Sequence, residues 1–201
     1  MKSVILYIFM AYLIGSVPWG LIIGKVFFDT DIRDYGSGNL GGTNAGRVLG
    51  FPIGLAVIFL DGSKALLAMY IVNKIMPGIE QYVGLAACLG HCFPVFAGFR
   101  GGKAVSCTYG YLLGLGLFVT HNIVLTFLVP VLSFFMILYL SRMVSLSSML
   151  SVLIGALVIT FFVDRNIGLL VLFLAMFIIY RHRANIKRII EGKESKVFVK
   201  K

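Results

Sequence analysis

Residues 36–47 read GSGNLGGTNAGR, with five glycines, two asparagines, a serine, a threonine and a closing arginine between two long apolar runs. Glycine permits positive φ and a close approach of backbone to a ligand. Successive backbone N–H groups can line an anion-binding concavity. Ser37, Thr43 and the side-chain amides of Asn39 and Asn44 add donors suited to phosphate oxygens, and Arg47 can hold a phosphate in a two-pronged fork. Gly36, Gly38, Gly41 and Gly42 then form the backbone of a phosphate-binding segment. A plain linker would be richer in serine and would need neither the asparagines nor the arginine.

Three further polar clusters interrupt the apolar sequence. In FRGGK, Gly101, Gly102 and Lys103 have the chemistry of a phosphate-binding turn. A full GxxxxGK[ST] loop is absent because Ala104 follows Lys103, so nucleotide binding is not inferred. In RHRANIKRIIEGKE (181–194), His182 and Asn185 stand three apart on one helical face and read as a site. Arg183, Lys187 and the distal lysines read as a basic surface held by anionic lipid. In FLDGSKALL, Asp61 and Lys64 fall within an apolar run, where charges are costly and are paired or functional. Two readings stay open: a structural pair, or Lys64 reaching a polar cavity to neutralise a phosphate. Ser145, in the connection SRMVS, joins the phosphate-binding set. His91, beside Cys92 and one turn from Cys88, reads as a packed histidine; no metal site is expected.

These residues need a scaffold, and the composition says which kind. The chain has 201 residues, 59% hydrophobic and 13% charged, with a formal net charge of +10. That is too apolar for a soluble domain. The positive charge points to an anionic membrane leaflet and not to nucleic acid. The three cysteines form no CxxC and read as small buried apolar groups. The first apolar run exceeds a signal-peptide core and lacks a small-x-small cleavage site, so it reads as a retained span.

With about 20 apolar residues needed per crossing, the sequence predicts an all-α integral membrane protein of about seven transmembrane helices, near 3–24, 49–73, 82–99, 104–121, 122–140, 146–163 and 167–180. The break at His121–Asn122 separates the fourth from the fifth. Placing the N-terminus outside and the C-terminus in the cytoplasm puts fourteen of the eighteen Lys and Arg inside, as the positive-inside rule requires. Trp19 and Tyr180 then fall near the inner interface. The outer connections are plain, while the glycines, hydroxyls, amides and cations gather at the cytoplasmic face, where the polar active site is expected. A single transmembrane domain over 1–201, with a basic cytoplasmic tail at 181–201, is the expected organisation. GLIIG (20–24), GFPIG (50–54) and GYLLG (110–114) suit close helix packing.

With these loops in order, the chain resembles the acyl-phosphate-dependent glycerol-3-phosphate acyltransferases of bacterial membranes. GSGNLGGTNAGR resembles that family's first motif, GHCFPVFAGFRGGK its second, and RHRANIKR followed by GKE its third. Leu40 stands where the family usually has proline. The resemblance implies transfer of a fatty acyl group from acyl phosphate to the primary hydroxyl of glycerol 3-phosphate, giving lysophosphatidic acid and inorganic phosphate, in a multi-pass protein of the bacterial inner membrane. It implies no cofactor and no direct role for coenzyme A or acyl carrier protein. Glycerol 3-phosphate, fatty acyl phosphate and membrane lipids are the implied partners. By the same match Ser37 and Arg47 belong to the essential first motif, Gly101 and Gly102 to the glycerol 3-phosphate site, and His182, Asn185 and Glu194 to the functional positions of the third.

The residues leave the general base open. Five residues after His91, His121 and His182 stand Phe96, Thr126 and Lys187, so no His-x4-Asp pair exists. His182 could take the proton, Ser37 could act as nucleophile, or a substrate phosphate held by Arg47 and Lys103 could accept the proton; the last is favoured. The rival classes are an organic-anion transporter, which would more often show inverted repeats, and a non-catalytic membrane protein whose basic tail recruits partners, which leaves the glycine loops unexplained.

Overall fold

The computed structural model describes residues 2–197, and among these no strand occurs. In lipid every backbone N–H and C=O must be satisfied within the chain, which is why apolar runs of this length become helices. The order is α1 (Lys2–Gly15), α2 (Trp19–Phe28), a 3₁₀ turn (Ile32–Asp34), α3 (Gly42–Leu49), α4 (Phe51–Ile75), α5 (Glu80–Cys92), a second 3₁₀ turn (Val95–Ala97) and α6 (Val105–Gly114). Two π-helical turns follow, Leu115–Val119 and Val124–Leu128, then α7 (Val129–Ser141), α8 (Val144–Phe162), α9 (Arg165–Arg181) and α10 (Arg183–Ile190).

The helices group into two compact units that divide after Gly114. In the first, α1 packs on α5, and α4 packs on α3, α5 and α6. Leu21, Ile32, Leu40, Ala45, Val57 and Ala97 form an apolar cluster beneath the first polar loop. Leu40, at the position where proline is usual, is 4% exposed and anchors that loop in the cluster. Gly20 lies so close to the Leu40 carbonyl that a side chain at 20 would collide with it. In the second unit, α8 packs against both α7 and α9.

Among the described residues, four stretches are long and apolar enough to cross a membrane by length and composition: Ser3–Phe28, Phe51–Ile75, Val124–Ser141 and Val144–Phe162. The pair Arg165–Arg181 and Arg183–Ile190, bent by 61°, makes up to five. The expected spans at 82–99 and 104–121 are helical but shorter. The first ends at Cys92, ahead of Pro94 and a glycine-rich turn, and the second is the apolar helix Val105–Val119. A 13-residue helix such as α5 rises only about 20 Å, less than the roughly 30 Å of a bilayer core. The break at 121 is present, with His121 in the left-handed region (φ 52°) between the two π-helical turns.

The segment DGSK lies inside the unbroken helix α4. Lys64 Nζ sits 2.6 Å from Asp61 Oδ1, both side chains being almost fully buried. His91 of α5 completes a triad, its Nδ1 3.4 Å from Lys64 Nζ and 3.5 Å from Asp61 Oδ1. Removing one partner of a buried ion pair strands the other charge, at a cost of about 3–5 kcal/mol, whereas removing both is close to neutral. Lys64→Met is therefore expected to lower unfolding stability in detergent by that amount. The double variant Asp61→Leu/Lys64→Met should recover most of the loss. Equal loss in both variants would contradict the pairing.

Candidate functional site

The first loop is built around a buried amide. Asn44, on α3, is 1% exposed. Its Nδ2 donates to the carbonyls of Ile32 (2.8 Å) and Tyr35 (3.2 Å). Its Oδ1 accepts from the Ser37 backbone N–H (2.7 Å) and the Ser37 hydroxyl (3.2 Å). Gly36 (φ 61°) makes the turn that brings Ser37 there, and a side chain at 36 would strike Asn44 Oδ1. The Asn39 side chain closes a smaller turn by accepting from Gly41 N–H at 2.9 Å. Gly42 is buried against α4. The Asn44 amide expected to offer donors to a ligand is thus engaged in fixing the loop, and Asn39 commits its amide oxygen to it. Outward it presents Ser37, Gly38, Thr43 and Arg47, all exposed, with Thr43 and Arg47 one turn apart on the same face of α3. Among the described residues Arg47 has no acidic partner.

The second loop is held by His91. Gly102 N–H donates to the His91 carbonyl at 3.1 Å, and the His91 ring stands against the Gly102 Cα where any side chain would collide with it. Lys103 follows, partly buried. Leu40 from the first loop, Lys64 and His91 from the buried triad, and Gly102 from the second loop line one small pocket of the first unit. The structure therefore brings the first two motifs and Lys64 together, and Lys64 both pairs with Asp61 and faces that pocket.

The third cluster belongs to the second unit. Glu194 follows α10 and turns back, 9% exposed. Its Oε1 accepts from Ser145 Oγ and from Asn185 Nδ2, each at 2.6 Å. Its Oε2 accepts from Arg188 Nε at 2.7 Å. Burial raises the affinity of this carboxyl for a proton, but the bonds from Ser145, Asn185 and Arg188 outweigh it and hold the group below the ordinary glutamate range. His182 caps α9 at the 61° bend, with Nδ1 2.8 Å from the Ile178 carbonyl oxygen. A carbonyl only accepts, so Nδ1 carries the proton and Nε2 is the basic nitrogen. His182, Asn185, Glu194 and Ser145 are all buried.

Sequence reasoning placed Ser145 in the phosphate-binding set and Arg188 or Ile189 on the face of His182 and Asn185, but missed three contacts of this arrangement. His91 positions the second loop, Arg188 is the third donor to Glu194, and Ser145 reaches Glu194 across 49 residues. Only Arg188 left a signal, through its spacing from Asn185 on one helical face.

Asn44→Ala leaves Ser37 N–H and the Ile32 and Tyr35 carbonyls unpaired. It is expected to cost about 1–3 kcal/mol and to speed amide hydrogen exchange across 36–41, read by mass spectrometry. For Glu194 the sign follows from its lowered pKa. Its contribution is present above the ordinary value of 4.5 and is lost as pH falls through the lower folded value. The melting temperature of the parent should therefore fall more steeply below about pH 4.5 than that of Glu194→Gln; parallel curves would show that the carboxylate contributes nothing.

Residues 5–192 match the family model described as glycerol-3-phosphate acyltransferase. The chain is 48% identical over 194 residues to the glycerol-3-phosphate acyltransferase of Bacillus subtilis (strain 168), with 96% of each chain covered. Its fold is similar to two crystal structures of PlsY (YgiH), an integral membrane glycerol 3-phosphate acyltransferase. The glycerol 3-phosphate form aligns with a TM-score of 0.87 at 33% identity, and the lysophosphatidic acid form with 0.84 at 32%, each covering 96% of this chain and 95% of the other. On these matches the chain belongs to the glycerol-3-phosphate acyltransferase family.

Proposed function

We propose that this multi-pass membrane protein transfers a fatty acyl group from acyl phosphate to the primary hydroxyl of glycerol 3-phosphate, at the cytoplasmic face of the bacterial inner membrane. The observation that carries the reading is the first loop. A buried Asn44 frame turns Ser37, Thr43 and Arg47, which has no acidic partner among the described residues, outward, in a chain whose family is the glycerol-3-phosphate acyltransferases. Lysophosphatidic acid and inorganic phosphate are the products.

Both substrates carry phosphate, and the chain offers donors in two sets. Ser37, the backbone of 36–43, Arg47 and the Gly101–Gly102–Lys103 turn form one. Asn185 and Ser145, held by the Glu194 carboxylate, and His182, anchored on the Ile178 carbonyl, form the other. The primary hydroxyl oxygen attacks the acyl carbonyl carbon, the bond from that carbon to the phosphate oxygen breaks, and phosphate leaves. Acyl phosphate is already an activated anhydride, so positioning and charge stabilisation carry most of the rate.

The hydroxyl proton passes to a substrate phosphate held by Arg47 and Lys103. Two features support this route. The Ser37 hydroxyl donates to an amide oxygen, which cannot take up a proton, so Ser37 binds and does not attack. The Glu194 carboxylate already accepts three bonds, so it positions Ser145 and Asn185 and is not the base.

The test is phosphate release from palmitoyl phosphate by the purified protein in detergent. Release should require glycerol 3-phosphate, and lysophosphatidic acid should form in equal amount. Arg47→Ala and Ser37→Ala are expected to lower kcat/KM by about 100-fold or more. His182→Gln should keep measurable turnover. Its complete loss with substrate binding intact would make His182 Nε2 the base, and release without the acceptor would contradict the transferase reading.

A further inference from the structure

A second basic site lies in the first unit, sharing no lining residue with the small pocket at Lys64. It is a groove of about 510 Å³ lined by Leu21, Lys25, Arg33, Phe96, Gly98 and Arg100, with Ala97 at its floor. Three separate segments build it. Helix α2 contributes Leu21 and Lys25 one turn apart, the 3₁₀ turn Ile32–Asp34 contributes Arg33, and the turn after Val95–Ala97 contributes Arg100. None of the lining residues is acidic.

The charges are preorganised. Asp31 takes Arg33 Nε at 2.9 Å and Arg33 Nη2 at 2.6 Å, and Lys25 Nζ at 3.3 Å. Hydrogen bonding from Arg33 holds the Asp31 carboxyl well below its ordinary range, so it stays ionised. Asp34 adds a second carboxylate that acts on Arg33, so Lys25 and Arg33 are balanced by Asp31 and Asp34, and the net positive charge of the groove rests on Arg100, which has no acidic partner among the described residues. Two consecutive residues before Arg100, Gly98 and Phe99, lie in the left-handed region (φ 61° each). A phenylalanine there is strained, and such strain persists where the surroundings dictate the position of the chain.

The groove has an apolar fringe. Phe96, which lines the groove, is 61% exposed, and Val26 and Phe27, next to Lys25 in the chain, and Phe99, next to Arg100, are 68%, 74% and 58% exposed. Cations bordered by exposed aromatic rings suit the boundary of a bilayer, where rings sit at headgroup level and Lys and Arg meet anionic lipid. A soluble anion would explain the cations but not the fringe.

We propose that this groove binds the phosphate of an anionic phospholipid headgroup at the membrane surface, with Lys25, Arg33 and Arg100 as its cations. The experiment titrates the full chain in neutral detergent with dioleoyl phosphatidylglycerol, dioleoyl phosphatidylcholine or inorganic phosphate, and reads the melting temperature. Phosphatidylglycerol should raise it and phosphatidylcholine should not. Lys25→Gln and Arg100→Gln should each weaken the half-saturating lipid concentration by about fivefold, and together by about 25-fold if the charges act independently. Arg100→Lys, which keeps the charge, should restore binding to within about twofold of the parent. Both sites are at the surface, so melting without lipid serves as the folding control; should the double variant fail it, the single variants and Arg100→Lys decide. Equal effects of the two lipids, or an unchanged lipid response in the variants that fold, would overturn the proposal. So would a shift from inorganic phosphate alone that matches the lipid in size and in its sensitivity to Arg100→Gln.

Discussion

A chain this apolar can hold a polar group out of water only if another part of the chain satisfies it, and the polar architecture follows from that constraint. Asn44 spends its whole amide on Ser37, Ile32 and Tyr35. Glu194 spends both oxygens on Ser145, Asn185 and Arg188. Asp61, Lys64 and His91 satisfy one another inside the first unit. The buried groups also position their neighbours: Asn44 holds Ser37, His91 holds Gly102, and Glu194 holds Ser145, Asn185 and Arg188.

This division of labour explains why the glycines are where they are. Gly36 turns the chain so that Ser37 meets Asn44, and Gly102 lets the backbone lie against the His91 ring. A side chain at either would push the loop off its polar anchor. The glycines of the two motifs thus serve rigidity at least as much as access, in a loop that composition alone would class as soft.

Much of this was legible in the sequence. The helical class and the unbroken helix through DGSK followed from hydrophobic runs, and the cost of buried charge made the Asp61–Lys64 pair one of two open readings. The three motifs, read in order, pointed to the family. What was not legible was geometry that hydropathy cannot carry. Residues 82–99 and 104–121 are apolar enough to suggest full spans, yet α5 ends before Pro94, because periodicity does not register where a backbone turns. The Asn44 amide looked like a ligand donor because its type allows it; only the fold shows it buried and bonded to the Ile32 and Tyr35 carbonyls. Ser145 and Glu194 are linked across 49 residues, a distance at which spacing says nothing.

The central proposal is that the Asn44 frame holds Ser37 and Arg47 where a substrate phosphate binds. The most direct measurement is a crystal structure of this chain with glycerol 3-phosphate bound. The ligand phosphate is predicted to take bonds from Arg47 or from Ser37. A ligand bound with no atom of either residue within hydrogen-bond reach would contradict the proposal.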